Sequence, residues 1–126
     1  MDQNLEQITA ALRQIQEDGG DSNFVVFTAD PAKNYYIQFV GELAHDSLFG
    51  EAVSNEFLEP PFTLTLSQEA RLRELGWQAG EDNFYQEWFA SNDEDRQEIA
   101  QLVMQTFIEV YNIPPKQTID VVVNLE

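Results

Sequence analysis

FVVFTADPAKNYYIQFV, residues 24–40, is the stretch of sequence that decides the fold. β-branched and aromatic residues dominate both of its ends, residues 24–28 and 35–40, which is typical of strands. Asp30 and Pro31 lie between the two runs and favour a turn. The stretch therefore predicts a β-hairpin, around which the rest of a sheet can form.

The segment before the hairpin has helical periodicity. Apolar residues recur there at three- and four-residue intervals, at Leu5, Ile8, Leu12 and Ile15. This spacing predicts a helix over residues 2–17 with one apolar face, ended by the glycine pair at 19–20.

The segment after the hairpin, residues 48–58, is ambiguous. Phe49, Val53 and Phe57 fit the spacing of a helix. The same three residues, with Glu51 and Asn55 between them, also mark one face of a strand. We favour a third strand. The proline pair at 60–61 should end it.

Two further helices and two further strands are predicted in the C-terminal half. Ser67 is the expected cap of a short helix that ends at Gly76, and residues 83–89 have the aromatic content of a strand. A second long helix should begin within residues 91–95 and run to about Asn112. Apolar and polar residues then alternate over residues 118–125, which predicts a half-buried strand paired with the hairpin.

Together these elements predict a single α+β domain over residues 1–126, with two long amphipathic helices and one short helix packed on an antiparallel sheet. A chain of 126 residues can bury one core. Its 43% apolar content, which includes nine Phe, distinguishes it from acidic disordered segments.

Charge is the strongest compositional feature, with 23 Asp and Glu against 6 Lys and Arg and a net charge of −17. This excess repels phosphates, so we expect no nucleic-acid partner and no membrane partner. The sequence shows no basic, apolar leader and no apolar run of about 20 residues. With no Cys for disulfides, these features predict a cytoplasmic protein.

Acidic residues cluster near the predicted element ends, within residues 17–23, at Asp30, and within residues 81–83 and 92–98. Calcium suits such clusters because it accepts six to eight oxygen ligands in flexible geometry. No window has the spacing of an EF-hand loop, so a site would have to combine separate loops. The alternative is a solvated acidic surface, with the acids near residue 93 stabilising a helix N-terminus. The predicted calcium ligands are Asp18, Asp21, Asp30, Asp93, Asp95 and Glu98.

Catalytic patterns are weak, and we expect no enzyme activity. His45 is the only histidine and has no Cys with which to build a zinc site. No serine lies in a nucleophile elbow and no glycine set resembles a phosphate-binding loop. The aromatic residues of this region are first expected in the core, although they could line a peptide groove: Trp77, Phe84, Tyr85, Trp88 and Phe89.

Four motifs resemble the TY-Chap family, which is related to type III secretion chaperones. They are YYIQF at 35–39, EAVSNEFL at 51–58, LGW at 75–77 and NF at 83–84. The resemblance covers roughly half of the chain and implies a chaperone-like α+β fold. The opening NLEQITAALRQIQ, residues 4–16, is also similar to small cyanobacterial calcium-binding proteins without EF-hands, which implies calcium sequestration.

Two functions from different classes remain open. The leading hypothesis is a calcium-binding or buffering protein, in which Ca²⁺ relieves the repulsion between clustered carboxylates. The competing hypothesis is a chaperone-like module that binds a peptide or protein partner in an apolar groove beside Trp77 and Trp88, with the acids acting only as steering charge.

Overall fold

A computed structural model describes residues 2–126 and shows a six-stranded antiparallel sheet with three helices, which confirms the α+β prediction. In chain order the elements are α1 (Gln3–Glu17), β1 (Asn23–Asp30), β2 (Tyr35–Gly41), β3 (Ser47–Ala52), α2 (Leu66–Glu74), β4 (Gln78–Ala79), β5 (Phe84–Phe89), α3 (Asp93–Glu109) and β6 (Asp120–Asn124).

The sheet is built around the predicted hairpin. β1 and β2 pair antiparallel, and β6 returns to pair antiparallel with the other side of β1, where Val25 faces Val123. The spatial order of the strands is β4-β5-β3-β2-β1-β6. Pairing of the last strand with the hairpin is therefore confirmed, and β4 and β6 form the two edges of the sheet.

Helices α1 and α3 pack against each other, and α1 lies on β1, β2 and β6. On the apolar face of α1, Ile8, Leu12 and Ile15 are buried, as the spacing predicts, and Leu5 is half-buried. Asp2 caps the helix by accepting a hydrogen bond from the Asn4 amide at 2.8 Å. Phe27 and Phe39 of the sheet and Phe107 of α3 complete the core. Within residues 2–126, no helix is long and apolar enough to cross a membrane.

The third strand is shorter than predicted. β3 ends at Ala52, and the chain then forms a 3₁₀ turn at Asn55–Phe57 instead of extending to residue 58. The side chain of Asn55 causes this change because it accepts from the Leu64 amide at 2.6 Å and donates to the Leu64 carbonyl at 3.1 Å. Within β3, Leu48 and Ala52 are buried while Phe49 points to the opposite face.

Two predicted helix ends are also wrong. Thr65, rather than Ser67, caps α2, because Thr65 and Gln68 exchange side-chain and backbone hydrogen bonds in a capping box. Helix α3 ends at Glu109 rather than at Asn112. Asn112 adopts a positive φ of 57°, and the Ile113 amide donates back to the Phe107 carbonyl at 3.0 Å.

Candidate functional site

The sheet has two unlike faces, because successive side chains of a strand point in opposite directions. In each strand, the residues that share a face with the buried core side chains point towards the helices. The alternate residues form what we call the outer face, and every one of them is exposed or half-buried. The outer face comprises Tyr85, Glu87 and Phe89 of β5, Ser47, Phe49 and Glu51 of β3, Tyr36, Gln38 and Val40 of β2, Phe24, Val26 and Thr28 of β1, and Asp120, Val122 and Asn124 of β6.

Apolar side chains are exposed on this face to an unusual extent. Phe89 is 82% exposed and Val122 is 61% exposed, and Val40 and Phe49 are also exposed. These are four of the seven large apolar side chains that are exposed in residues 2–126. A concentration of this kind marks an interaction site more often than a scattered set does.

The centre of the outer face is an aromatic and aliphatic strip formed by Val40, Phe49 and Tyr85, which we call the central strip. Val40 faces Phe49 across β2 and β3. The rings of Phe49 and Tyr85 stack, with centroids 5.9 Å apart and planes 15° apart. A cavity of 270 Å³ lies on the Val40 side of Phe49, and one of 210 Å³ lies on the Tyr85 side.

The charge of the outer face is entirely negative. Its charged members are Glu51, Glu87 and Asp120, and it contains no Lys or Arg. The two cavities beside Phe49 add further acids: Glu42 on one side, and Glu81 and Asp82 on the other. An apolar strip with acids on both sides attracts cationic, partly apolar ligands and repels anionic ones.

The predicted calcium ligands do not gather into one cluster. No group of three or more Asp, Glu or His side chains able to hold a metal ion occurs in residues 2–126. Asp93 instead forms ion pairs with Arg13 at 2.6 Å and Arg96 at 2.8 Å, and Asp95 accepts from the Ser91 amide at 3.0 Å. Both acids therefore stabilise the start of α3.

The other four predicted ligands lie elsewhere. Asp30 accepts from the Lys33 amide in the hairpin turn, at 3.2 Å. Asp18 follows α1, where its carbonyl accepts from the Asn23 side chain at 2.7 Å. Asp21 and Glu98 are exposed. No measurement bears on calcium itself, so calcium binding by these residues stays a prediction.

Trp77 and Trp88 pack in and against the core, and the peptide groove expected beside them stays a prediction. Trp77 is only 1% exposed, and its indole Nε1 donates to Thr106 Oγ1 at 3.1 Å. Trp88 is half-buried and packs edge-on against Trp77, with centroids 5.6 Å apart. Trp77 therefore belongs to the core, as the first interpretation of the sequence expects, and Trp88 packs against it.

The sequence interpretation missed Val40 and Val122 as exposed candidates for binding, and it expected Phe89 first in the core although Phe89 is exposed. Aromatic residues occur on both faces of the strand in residues 84–89, because Trp88 packs against the core while Phe89 lies on the outer face. The two faces can be told apart from the period of two along a strand: once Trp88 is assigned to the core side, Phe89 must point to the other side.

Tyr111 and Glu109, whose pKa values are shifted, have structural roles. Burial raises the pKa of Tyr111 far above its usual range, and its hydroxyl donates to the Val53 carbonyl at 2.6 Å. Tyr111 is therefore a neutral core residue. On the surface, the hydrogen bond from Arg71 lowers the pKa of Glu109 and links α2 to α3.

These features define a small α+β domain whose sheet is covered by helices on one face and carries an apolar, acidic surface on the other. The chain belongs to the TY-Chap3 family, described as T3SS (YopN, CesT) and YbjN peptide-binding chaperone 3, whose sequence model matches residues 3–121. The match confirms the resemblance and extends it to nearly the whole chain. No curated protein and no solved structure matches the chain.

Proposed function

We propose that this protein is a chaperone-like module that binds cationic, partly apolar peptide segments on its outer face. The observation that carries the proposal is the central strip, where Val40, Phe49 and Tyr85 lie between acidic groups with no Lys or Arg among them, and where His45, the one basic side chain in the adjoining cavities, lies 3.3 Å from Glu42. The family description supports a peptide ligand. Nothing in that description names an enzymatic activity.

The two kinds of group on the outer face have different roles in this proposal. The exposed rings of Phe49 and Phe89 provide apolar area that a bound segment removes from water. The ring of Tyr85 offers a face for cation–π contacts, and Glu51 and Glu87 attract Lys or Arg of the ligand. Apolar contacts should set the lifetime of the complex, while charge should set the rate of encounter.

The test is fluorescence anisotropy with two labelled peptides of equal length, one alternating Lys with Leu and Phe, the other carrying Glu in place of Lys. We expect the cationic peptide to bind and the anionic one not to bind. The double variant Phe49→Thr, Phe89→Ser should weaken binding by about tenfold or more, since each buried aromatic side chain contributes about 1.5–3 kcal/mol.

The matched control is Leu66→Ser, because Leu66 is 85% exposed on α2 and is not part of the outer face. This variant should bind the cationic peptide like the unmodified protein. Raising the salt concentration should weaken binding by screening the attraction. Equal loss of affinity in the Leu66 and Phe49/Phe89 variants, or equal binding of both peptides, would contradict the proposal.

A further inference from the structure

The two edges of the sheet are protected to different degrees. The β4 edge has only two residues, Gln78 and Ala79, and acidic residues follow it at Glu81 and Asp82. The β6 edge has five residues, DVVVN, and its pairing with β1 runs without a bulge from Asn124 to Asp120. It contains no Lys, Pro or bulge of the kind that normally blocks edge-to-edge pairing. β6 is therefore the edge that is open to another strand.

A groove of 480 Å³ runs beside this edge, between β6 and α1. Gln7, Ala10 and Gln14 border it on the helix side, and Val121 and Val123 border it on the strand side. Asp120 is the one acid among its nine lining residues, in a chain with 23 acids. The edge is thus a nearly neutral part of a strongly negative surface, where a second negative chain meets little local repulsion.

We propose that β6 pairs antiparallel with β6 of a second copy of this chain, about a two-fold axis through Val122. The sequence of β6 is self-complementary in this register. Val121 lies opposite Val123 of the second copy, and Asp120 lies opposite Asn124 of the second copy. Both members of each pair point to the same side of the sheet, because Val121 and Val123 face the helices while Asp120 and Asn124 belong to the outer face.

In this register the opposed side chains are compatible on both faces of the joined sheet. On the helix side, β-branched valines lie opposite each other beside the small side chain of Ala10, which leaves room for them in the groove. On the outer side, Asp120 meets a neutral amide donor in Asn124 instead of another carboxylate. The outer faces of the two copies then form one continuous surface, so pairing leaves the central strip open to peptide.

A cysteine at the two-fold axis tests the register directly, because the chain has no Cys of its own. Val122→Cys should form a disulfide-linked dimer at least about tenfold faster than Leu66→Cys, because directly opposed residues of an antiparallel pair have Cβ atoms about 4.5–5.5 Å apart. Both positions are exposed, so access to oxidant is comparable. Equal cross-linking rates for the two variants would overturn the proposal.

Sedimentation equilibrium tests the association without a cross-link. We expect the average mass of the unmodified protein to rise towards that of a dimer with concentration, and Val122→Glu to abolish this rise by placing two carboxylates opposite each other. Val122→Thr should still dimerise. A mass equal to that of one chain at all concentrations would overturn the proposal and leave the β6 edge to a peptide partner. A dimer that persists in Val122→Glu would also overturn it.

Failure of this proposal is distinguishable from failure of the peptide-binding proposal. Association of two chains of net charge −17 should strengthen as salt increases, whereas binding of a cationic peptide should weaken. The Phe49→Thr, Phe89→Ser variant should dimerise normally, since neither residue lies at the β6 edge. Loss of dimerisation in that variant would place the contact on the outer face and contradict pairing through β6.

Discussion

Asn23 connects the N-terminal helix, the sheet and the C-terminal strand through one fully buried side chain. Its Nδ2 donates to the carbonyls of Ile15, Asp18 and Gly20, and its Oδ1 accepts from the amides of Gly20 and Glu126. These backbone groups lie at the end of α1 and beside β6, where neither helix nor sheet supplies all their partners. A single amide side chain therefore fixes the chain direction between three elements.

Asn23→Ala should lower the free energy of unfolding by about 2–4 kcal/mol, because each buried backbone group left without a partner costs about 1–3 kcal/mol and water can reach some of them. Urea denaturation monitored by tryptophan fluorescence measures the change. The control is Gln101→Ala, an exposed amide on α3, which should change stability by less than about 0.5 kcal/mol. Similar losses in the two variants would show that the Asn23 contacts contribute little.

The sequence cannot reveal this role of Asn23. Its position next to Asp18 and Asp21 makes it look like one more oxygen donor in an acidic loop. Its actual partners include Glu126, which is 103 residues away in the chain. A side chain with both a donor and an acceptor suits a cation site and a backbone cap equally well, and only the tertiary structure decides between them.

At the scale of elements, predictions succeeded where the pattern is local and long. The β-branched and aromatic runs of residues 24–40, the alternation of residues 118–125 and the helical spacing of residues 2–17 each predict an element without help from the rest of the chain. Residues 48–58 were not predictable in the same way. Their strand ends because Asn55 bonds to Leu64, a contact that periodicity does not encode.

The capping of α2 gives a matched pair of variants within one helix turn. Thr65→Ala should destabilise the protein by about 0.5–2 kcal/mol, because the capping box with Gln68 is lost. Ser67→Ala should change stability by less than about 0.5 kcal/mol, since Ser67 is an exposed residue inside the helix. Urea denaturation of both variants measures the difference. A larger loss of stability for Ser67→Ala would indicate that Ser67 caps the helix, as the sequence predicts.

At the scale of the whole molecule, composition predicts the negative surface but not its arrangement. Asp93 lies beside Arg13, which is 80 residues earlier, so an apparent ligand is in fact neutralised by a distant base. The outer face likewise combines side chains of five strands, and its acids and rings become neighbours only through the strand order. A binding surface assembled in this way leaves no contiguous motif in the sequence.

Calcium binding is the prediction that depends on the charge of the whole molecule. A ligand that binds only the folded state raises its stability in proportion to ln(1 + [L]/Kd), so Ca²⁺ should raise the midpoint of thermal unfolding beyond the value reached with Mg²⁺ at equal ionic strength. Asp21→Asn with Glu98→Gln should remove this excess, because both are predicted ligands, and because their side chains are exposed the two substitutions should not disturb the core. The control is Glu59→Gln, an exposed acid outside the predicted set. Equal shifts with the two cations would mean that they only screen the charge of −17, and the calcium prediction would be wrong.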